Sequence, residues 1–78
     1  MAKLELFGAS RCPHTQEMRE WLEWKRSDFV EYDVEADPAA LQRMRALAAG
    51  QRNVPVLVAN GKVLQIGWQG RSCMVDAE

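Results

Sequence analysis

Cysteine is scarce in this chain. Its 78 residues hold two, Cys12 and Cys73, and one histidine, His14. Two thiols close at most one bridge, so a disulfide scaffold is excluded. With a single histidine beside them they cannot supply the four ligands of a structural zinc site, and no metal site is expected. Neither sign of charge is in surplus: ten Lys and Arg stand against eleven Asp and Glu, for a net charge of −1. A nucleic-acid binder carries a basic excess on one face, so nucleic acid is not an expected partner. No apolar run approaches the ~18 residues that read as a membrane span. The opening residues, Met1 to Glu5, lack the long apolar stretch of a secretory leader, so the cytoplasm is the expected compartment. Internal repeats, linkers and low-complexity segments are also missing.

What is present suits a small globular fold. Hydrophobic residues make up 47% and charged residues 27%, which separates the chain from disordered sequences. The length fits one domain over residues 1–78, able to bury a single compact core, and a monomer is expected. In a reducing compartment, thiols in so small a chain are either buried filler or reactive groups. Their position has to decide.

Leu4 and Leu6 alternate with Lys3 and Glu5, so Lys3 to Phe7 reads as a strand. The small residues Gly8-Ala9-Ser10 and Arg11 turn the chain, and Pro13 suits the first turn of a helix, where its missing N–H is not needed. From Pro13 to about Lys25, Met18, Trp21, Leu22 and Trp24 are expected to pack as an apolar stripe opposite a charged face. Phe29 to Val34 is rich in β-branched and aromatic residues and reads as a second strand. Asp37-Pro38 is a cap followed by a first-turn proline. Leu41, Met44 and Leu47 then fall on one helical face, and Gly50 is expected to cap its C-terminus. Val54 to Val58 is short and continuously apolar, as a buried strand would be. Asn60-Gly61 is a strong hairpin signal, with Lys62 to Ile66 returning. The tail from Gly67 has no clear period. The order is β-α-β-α-β-β. A mixed four-stranded sheet follows, with the first two strands parallel neighbours and the last two an antiparallel hairpin.

Cys12 falls where the first strand meets the first helix. Unpaired N–H groups and the helix dipole favour an anion there, so a thiol spends more of its time as the nucleophilic thiolate. Arg11 adds positive charge beside it. Thr15, one turn on, could donate a hydrogen bond to the sulfur. Taken alone, Cys12 could equally be a small apolar residue under the loop. The second signal is Val54-Pro55. Proline is normally excluded from a central strand because it removes a ladder hydrogen bond, so a special backbone site is expected, with a cis bond as one form of it. Val54 would then offer its backbone to an extended peptide as an added strand.

Together these residues resemble a glutaredoxin. Cys12-Pro13-His14-Thr15 follows the first strand, and Gly50-Gln51-Arg52-Asn53-Val54-Pro55 precedes the third. The family typically reads Cys-Pro-Tyr-Cys and Gly-Gln-Arg-Thr-Val-Pro at these places. The likeness covers roughly residues 3 to 67 and implies a thioredoxin-like α/β fold. It also implies thiol-disulfide oxidoreductase activity, with glutathione as cosubstrate, no bound cofactor, and disulfide or glutathionylated proteins as partners. Cys12 matches the nucleophile that forms a mixed disulfide with glutathione. Val54 and Pro55 match the residue pairing with the cysteinyl part of glutathione and the cis-proline. Gln51 and Arg52 match positions near a glutathione carboxylate, which Arg suits through a two-pronged contact. Arg11 and Pro13 belong to the same expected binding surface.

Three departures shape the expectation. Thr15 replaces the second cysteine, so the resemblance is to the monothiol type; some glutaredoxin-like proteins with Thr at this position also resemble selenoproteins, with selenocysteine as nucleophile. His14 replaces tyrosine; it is either a solvated helix residue or a group that tunes the thiol. Gly67-Trp68-Gln69-Gly70-Arg71-Ser72 replaces a Gly-Gly and acidic pair, and the family's last helix is missing. Trp68, Arg71 and Ser72 are the candidates to stand in at the amino end of glutathione. The same stretch resembles small glutaredoxin-like proteins reduced in the thioredoxin manner. Cys73, if the loop after the last strand returns to the Cys12 helix, is a candidate resolving thiol. The leading reading is a glutathione-linked cycle on Cys12. The alternatives are a dithiol donor using Cys73 and fed by thioredoxin reductase, an iron–sulfur or metal carrier with Cys12 as ligand, and a catalytically silent interaction module.

Overall fold

The computed structural model describes residues 4–75; the strand start expected at Lys3 lies outside them. The elements are β1 (Leu4–Gly8), α1 (Pro13–Trp24), β2 (Phe29–Asp33), α2 (Pro38–Leu47), β3 (Asn53–Val54), β4 (Val56–Ala59), β5 (Lys62–Ile66) and β6 (Cys73–Met74). Four strands form the main sheet in the order β2-β1-β4-β5. β1 runs parallel to β2, with Leu6 opposite Glu31, and antiparallel to β4, with Leu6 opposite Leu57. β4 and β5 form the hairpin, with a register irregularity between Leu57 and Val58. This is the expected mixed sheet of a thioredoxin-like α/β fold.

Alternation along the strands builds two core layers. Leu6 and Leu57 point to one side with Met18 and Leu22 of α1. Phe7, Val56 and Val58 point to the other with Ala40 and Met44 of α2. Successive side chains leave a strand on opposite faces, so a strand covered on both faces reads as a continuous apolar run. On the α2 side, Arg43 lies over the Phe7 and Tyr32 rings, 5.4 and 5.6 Å away. Its hydrogen bond to Glu5 is the main cause of a guanidinium pKa raised above its ordinary value.

The structure corrects several expectations. Trp24 is 80% exposed rather than packed. It stands two residues past Leu22, about 200° round the helix, on the opposite face. α2 begins as expected, with the Asp37 carboxylate accepting from the Ala39 and Ala40 N–H groups at 3.1 and 3.3 Å. Its end falls one residue early: Ala49 takes the left-handed conformation (φ 59°), and the Gly50 N–H closes on the Arg45 carbonyl at 2.6 Å. That is a Schellman arrangement with alanine in the usual glycine place.

The apolar run Val54 to Val58 is two strands, not one. The Val54–Pro55 bond is cis, and the chain leaves one sheet and joins the other there. The tail is also ordered. Trp68 and Arg71 exchange N–H···O bonds of 2.6 and 2.9 Å around Gln69 and Gly70, both at positive φ (53° and 79°), as a type I′ turn requires. β6 follows and pairs antiparallel with β3. Among the described residues, the segment after β5 forms this turn and strand and no helix. No helix among them is long and apolar enough to cross a membrane.

Candidate active site at the Cys12 helix terminus

Cys12 is the N-cap residue of α1, with extended backbone (φ −87°, ψ 116°). Its carbonyl accepts the Thr15 and Gln16 N–H groups at 3.1 and 3.2 Å, and its own N–H donates to Ala9 at 3.0 Å. These bonds fix the residue while leaving its side chain uninvolved in capping. Cys12 is 2% exposed and forms a disulfide with Cys73, their Cα atoms 6.1 Å apart. Pro13 sits at the start of the helix, exposed. Beside the bridge lies a cleft of about 300 Å³ lined by Ala9, Arg11, Cys12, Glu35 and residues 73–75.

The neighbours take definite roles. The Thr15 hydroxyl oxygen accepts from the Ala9 N–H at 3.3 Å. Thr15 is fully buried and packs so tightly on Gly8 that a Cβ there would collide with its side chain. It therefore braces the loop that carries Cys12. Arg11 donates to the Glu35 carboxylate through Nε at 3.1 Å and through a terminal nitrogen at 2.7 Å. An opposite charge this close reduces the field that Arg11 can exert on a sulfur. Glu35 is a site residue that no local motif announces. His14 engages Glu17 one turn along the helix, at 3.5 Å.

Residues expected to bind a carboxylate divide in two. The Gln51 side chain grips its own strand: its oxygen accepts from the Asn53 N–H at 2.7 Å and its nitrogen donates to the Asn53 carbonyl at 3.2 Å. Arg52 is exposed, with a terminal nitrogen 4.0 Å from the Met74 sulfur. Val54, expected to offer its backbone to a peptide, stands opposite Cys73 of its own chain. The Pro55 carbonyl accepts the Gly67 N–H at 2.7 Å, and the Arg52 carbonyl accepts the Val75 N–H at 3.0 Å. Trp68 packs against Trp21, ring centroids 5.4 Å apart, rather than standing free beside the cleft. The tail strand is what sequence reasoning missed. Its signal was a short apolar run, Cys73-Met74-Val75, placed after a Gln-Gly turn. Among the described residues no group of three or more His, Cys, Asp or Glu side chains is placed to hold a metal ion.

A sheet of this order, with a cysteine at the first helix terminus and a cis-proline facing the same end, defines the thioredoxin-like class. Solved structures agree: the chain superposes on a thioredoxin-like protein with a TM-score of 0.75 and 28% identity, covering 86% of this chain and 89% of that one. Within the class, the glutaredoxin family model matches residues 4–64, and the chain belongs to the glutaredoxin family. It is 37% identical over 59 residues to a probable glutaredoxin of Synechocystis, covering 76% of this chain. It spans about half of that relative, 54% of its length. It is also 30% identical over 61 residues to an uncharacterized glutaredoxin-like 8.6 kDa protein in the rubredoxin operon of Clostridium pasteurianum, covering 78% of this chain and 80% of that one. Cys73 lies beyond the residues matched by the family model.

Proposed function

We propose that the protein is a thiol-disulfide oxidoreductase in which Cys12 attacks and Cys73 resolves. The observation that carries this reading is the Cys12–Cys73 bond, whose Cα separation of 6.1 Å lies within the ~7 Å that a bridge can span. It favours the dithiol alternative over a cycle on Cys12 alone. The Cys12 thiolate, favoured at the helix N-terminus, attacks one sulfur of a substrate disulfide. A Cys12–substrate S–S bond forms, the substrate's own bond breaks, and the other half leaves as a thiolate. The Cys73 thiolate then attacks the Cys12 sulfur, the intramolecular bond forms, and the second half leaves. The substrate gains two electrons, and the two protons given up by the cysteines balance its two thiolates. Two external thiols, or one external dithiol, reduce the bond and restore the pair. Glutathione fits the first description and a dithiol reductase the second.

A second reading keeps glutathione as the resolving thiol and Cys12 as the only working cysteine. Thr15 in the place of a second helix cysteine and the exposed Arg52 beside β3 favour it. The two separate by mass spectrometry of the reduced protein after brief exposure to oxidised glutathione. The dithiol reading expects a bridged chain, two hydrogens lighter, and a lasting glutathione adduct only in Cys73→Ser. A lasting adduct on Cys12 of the unmodified chain, with no bridge, would overturn it in favour of the second reading. No reaction at Cys12 would remove both. A visible absorption band after anaerobic iron and sulfide reconstitution would then bring the carrier role forward.

A further inference from the structure

The tail does more than carry Cys73 to Cys12. β6 pairs antiparallel with β3, Cys73 opposite Val54 and Met74 opposite Asn53, and the pairing extends through the Val75 N–H to the Arg52 carbonyl. Val75 is 1% exposed and belongs to the buried cluster containing Ala9, Val34, Ala40 and Val54, whereas Met74 is 64% exposed. An extended segment thus lies on a sheet edge, with a cysteine bonded to the nucleophile and the second residue after it buried. Main-chain pairing with alternate side chains in pockets is how an added peptide strand is recognised.

We infer that residues 72–75 are a tethered stand-in for the substrate strand. In the bridged state they fill the β3 edge and close it to external peptides. When the bridge is reduced, only the short pairing and Val75 hold them, and an incoming chain takes the same register. The partner this edge fits is an extended segment of the form Cys-x-aliphatic, its cysteine opposite Val54, its middle residue facing solvent and its aliphatic side chain in the place of Val75. The inference rests on the reading above for the reactivity of Cys12. It goes further in saying that the tail and the substrate compete for one site.

The test uses the full chain carrying Cys73→Ser, so that Cys12 is reactive and no bridge forms. The probe is acetyl-Ser-Cys-Met-Val-amide joined through its cysteine to a chromophoric thiol; iodoacetamide, which needs no strand pairing, is the control. Adding Val75→Asp to this chain removes the buried anchor. The peptide reaction is then expected to accelerate about tenfold beyond any acceleration of alkylation by iodoacetamide, which reports only the uncovering of Cys12; that excess is equivalent to about 1.4 kcal/mol. A probe with Asp in place of its valine is expected to lose that gain. An equal change with peptide and iodoacetamide, or no change with either, would overturn the inference. Hydrogen exchange on the unsubstituted chain guards against a variant that fails to fold. Reduction is expected to release the Val75 amide while the β1 and β4 amides stay protected, and undiminished protection of Val75 would overturn the competing-strand idea. A bridge that forms normally alongside a tail that never competes would sink this inference alone. Competition without a bridge would sink the resolving role of Cys73 alone.

Discussion

The two sheets are held together by different means. The main sheet has strands of four and five residues, and Leu6, Phe7, Val56 and Val58 within it are wholly buried. The β3–β6 pair is two residues long on each side; β3 is anchored by the buried Val54, whereas β6 relies on one buried side chain beyond it, Val75, and on the Cys12–Cys73 bond. Burial of apolar surface does not depend on the redox state of the surroundings, whereas an S–S bond does. The difference teaches where this molecule can change: the frame that positions Cys12 rests on burial, and the edge beside it depends also on the Cys12–Cys73 bond. Segments with few buried contacts open at low free-energy cost compared with the core.

Experiments that perturb one sheet and spare the other would sharpen or break this contrast. The largest effect is expected from Phe7→Ala, because the ring is fully buried and stacked on Tyr32 at 5.0 Å. A loss of about 3–5 kcal/mol should appear in denaturant unfolding of oxidised and reduced protein alike. A loss confined to the oxidised form would dissolve the distinction. Reducing the bridge comes next. Its ends are 61 residues apart, so loop closure in the unfolded chain sets a stabilisation of up to about 4 kcal/mol. The urea midpoint should fall on reduction, while circular dichroism still reports the main sheet and helices. Loss of that secondary structure would show that the bridge holds the frame as well.

Gly67→Ala should act on the tail. Gly67 has φ +86°, and a Cβ would lie 2.7 Å from the Arg71 carbonyl oxygen. A cost of about 1–3 kcal/mol is expected from the forced backbone conformation. Bridge formation, followed by loss of free thiol, should slow by more than alkylation of Cys12 does. Equal slowing of both would place the damage in the frame. The smallest effect belongs to Trp24→Ala, which removes an 80% exposed ring and should move stability by no more than about 0.5 kcal/mol. A larger thermal shift would mean that this face of α1 is covered in solution.

Much of the frame was legible because its signals are local. Leu4 and Leu6 alternating, Asp37-Pro38 opening a helix and Asn60-Gly61 closing a hairpin each act through neighbouring residues. The misreadings also have local reasons. Trp24 matches Leu22 in apolar character, but helix geometry puts it on the opposite face. Ala49 took a left-handed position that glycine usually fills, and Gln69-Gly70 made the type of turn that Asn-Gly signals more plainly. At the candidate site, the place of Cys12 and Pro13 at the helix start and the special backbone at Pro55 were legible in two short motifs. Gln51 bonded to its own strand and Arg11 met Glu35; neither preference is written in a window of sequence.

By itself, then, the sequence determined the order of the two helices and the four main-sheet strands, the two-sided apolar strands, the thiol at the first helix and the special backbone at Val54-Pro55. Periodicity, capping and proline stereochemistry are short-range properties, readable within a few residues. Only the tertiary structure decided that the tail becomes a strand, that Cys73 stands opposite Val54, and that Val75 is buried behind it. A two-residue strand has no period of its own. Its pairing exists because β5 and the Gln69-Gly70 turn return the chain to an edge that the break at Pro55 had left outside the main sheet.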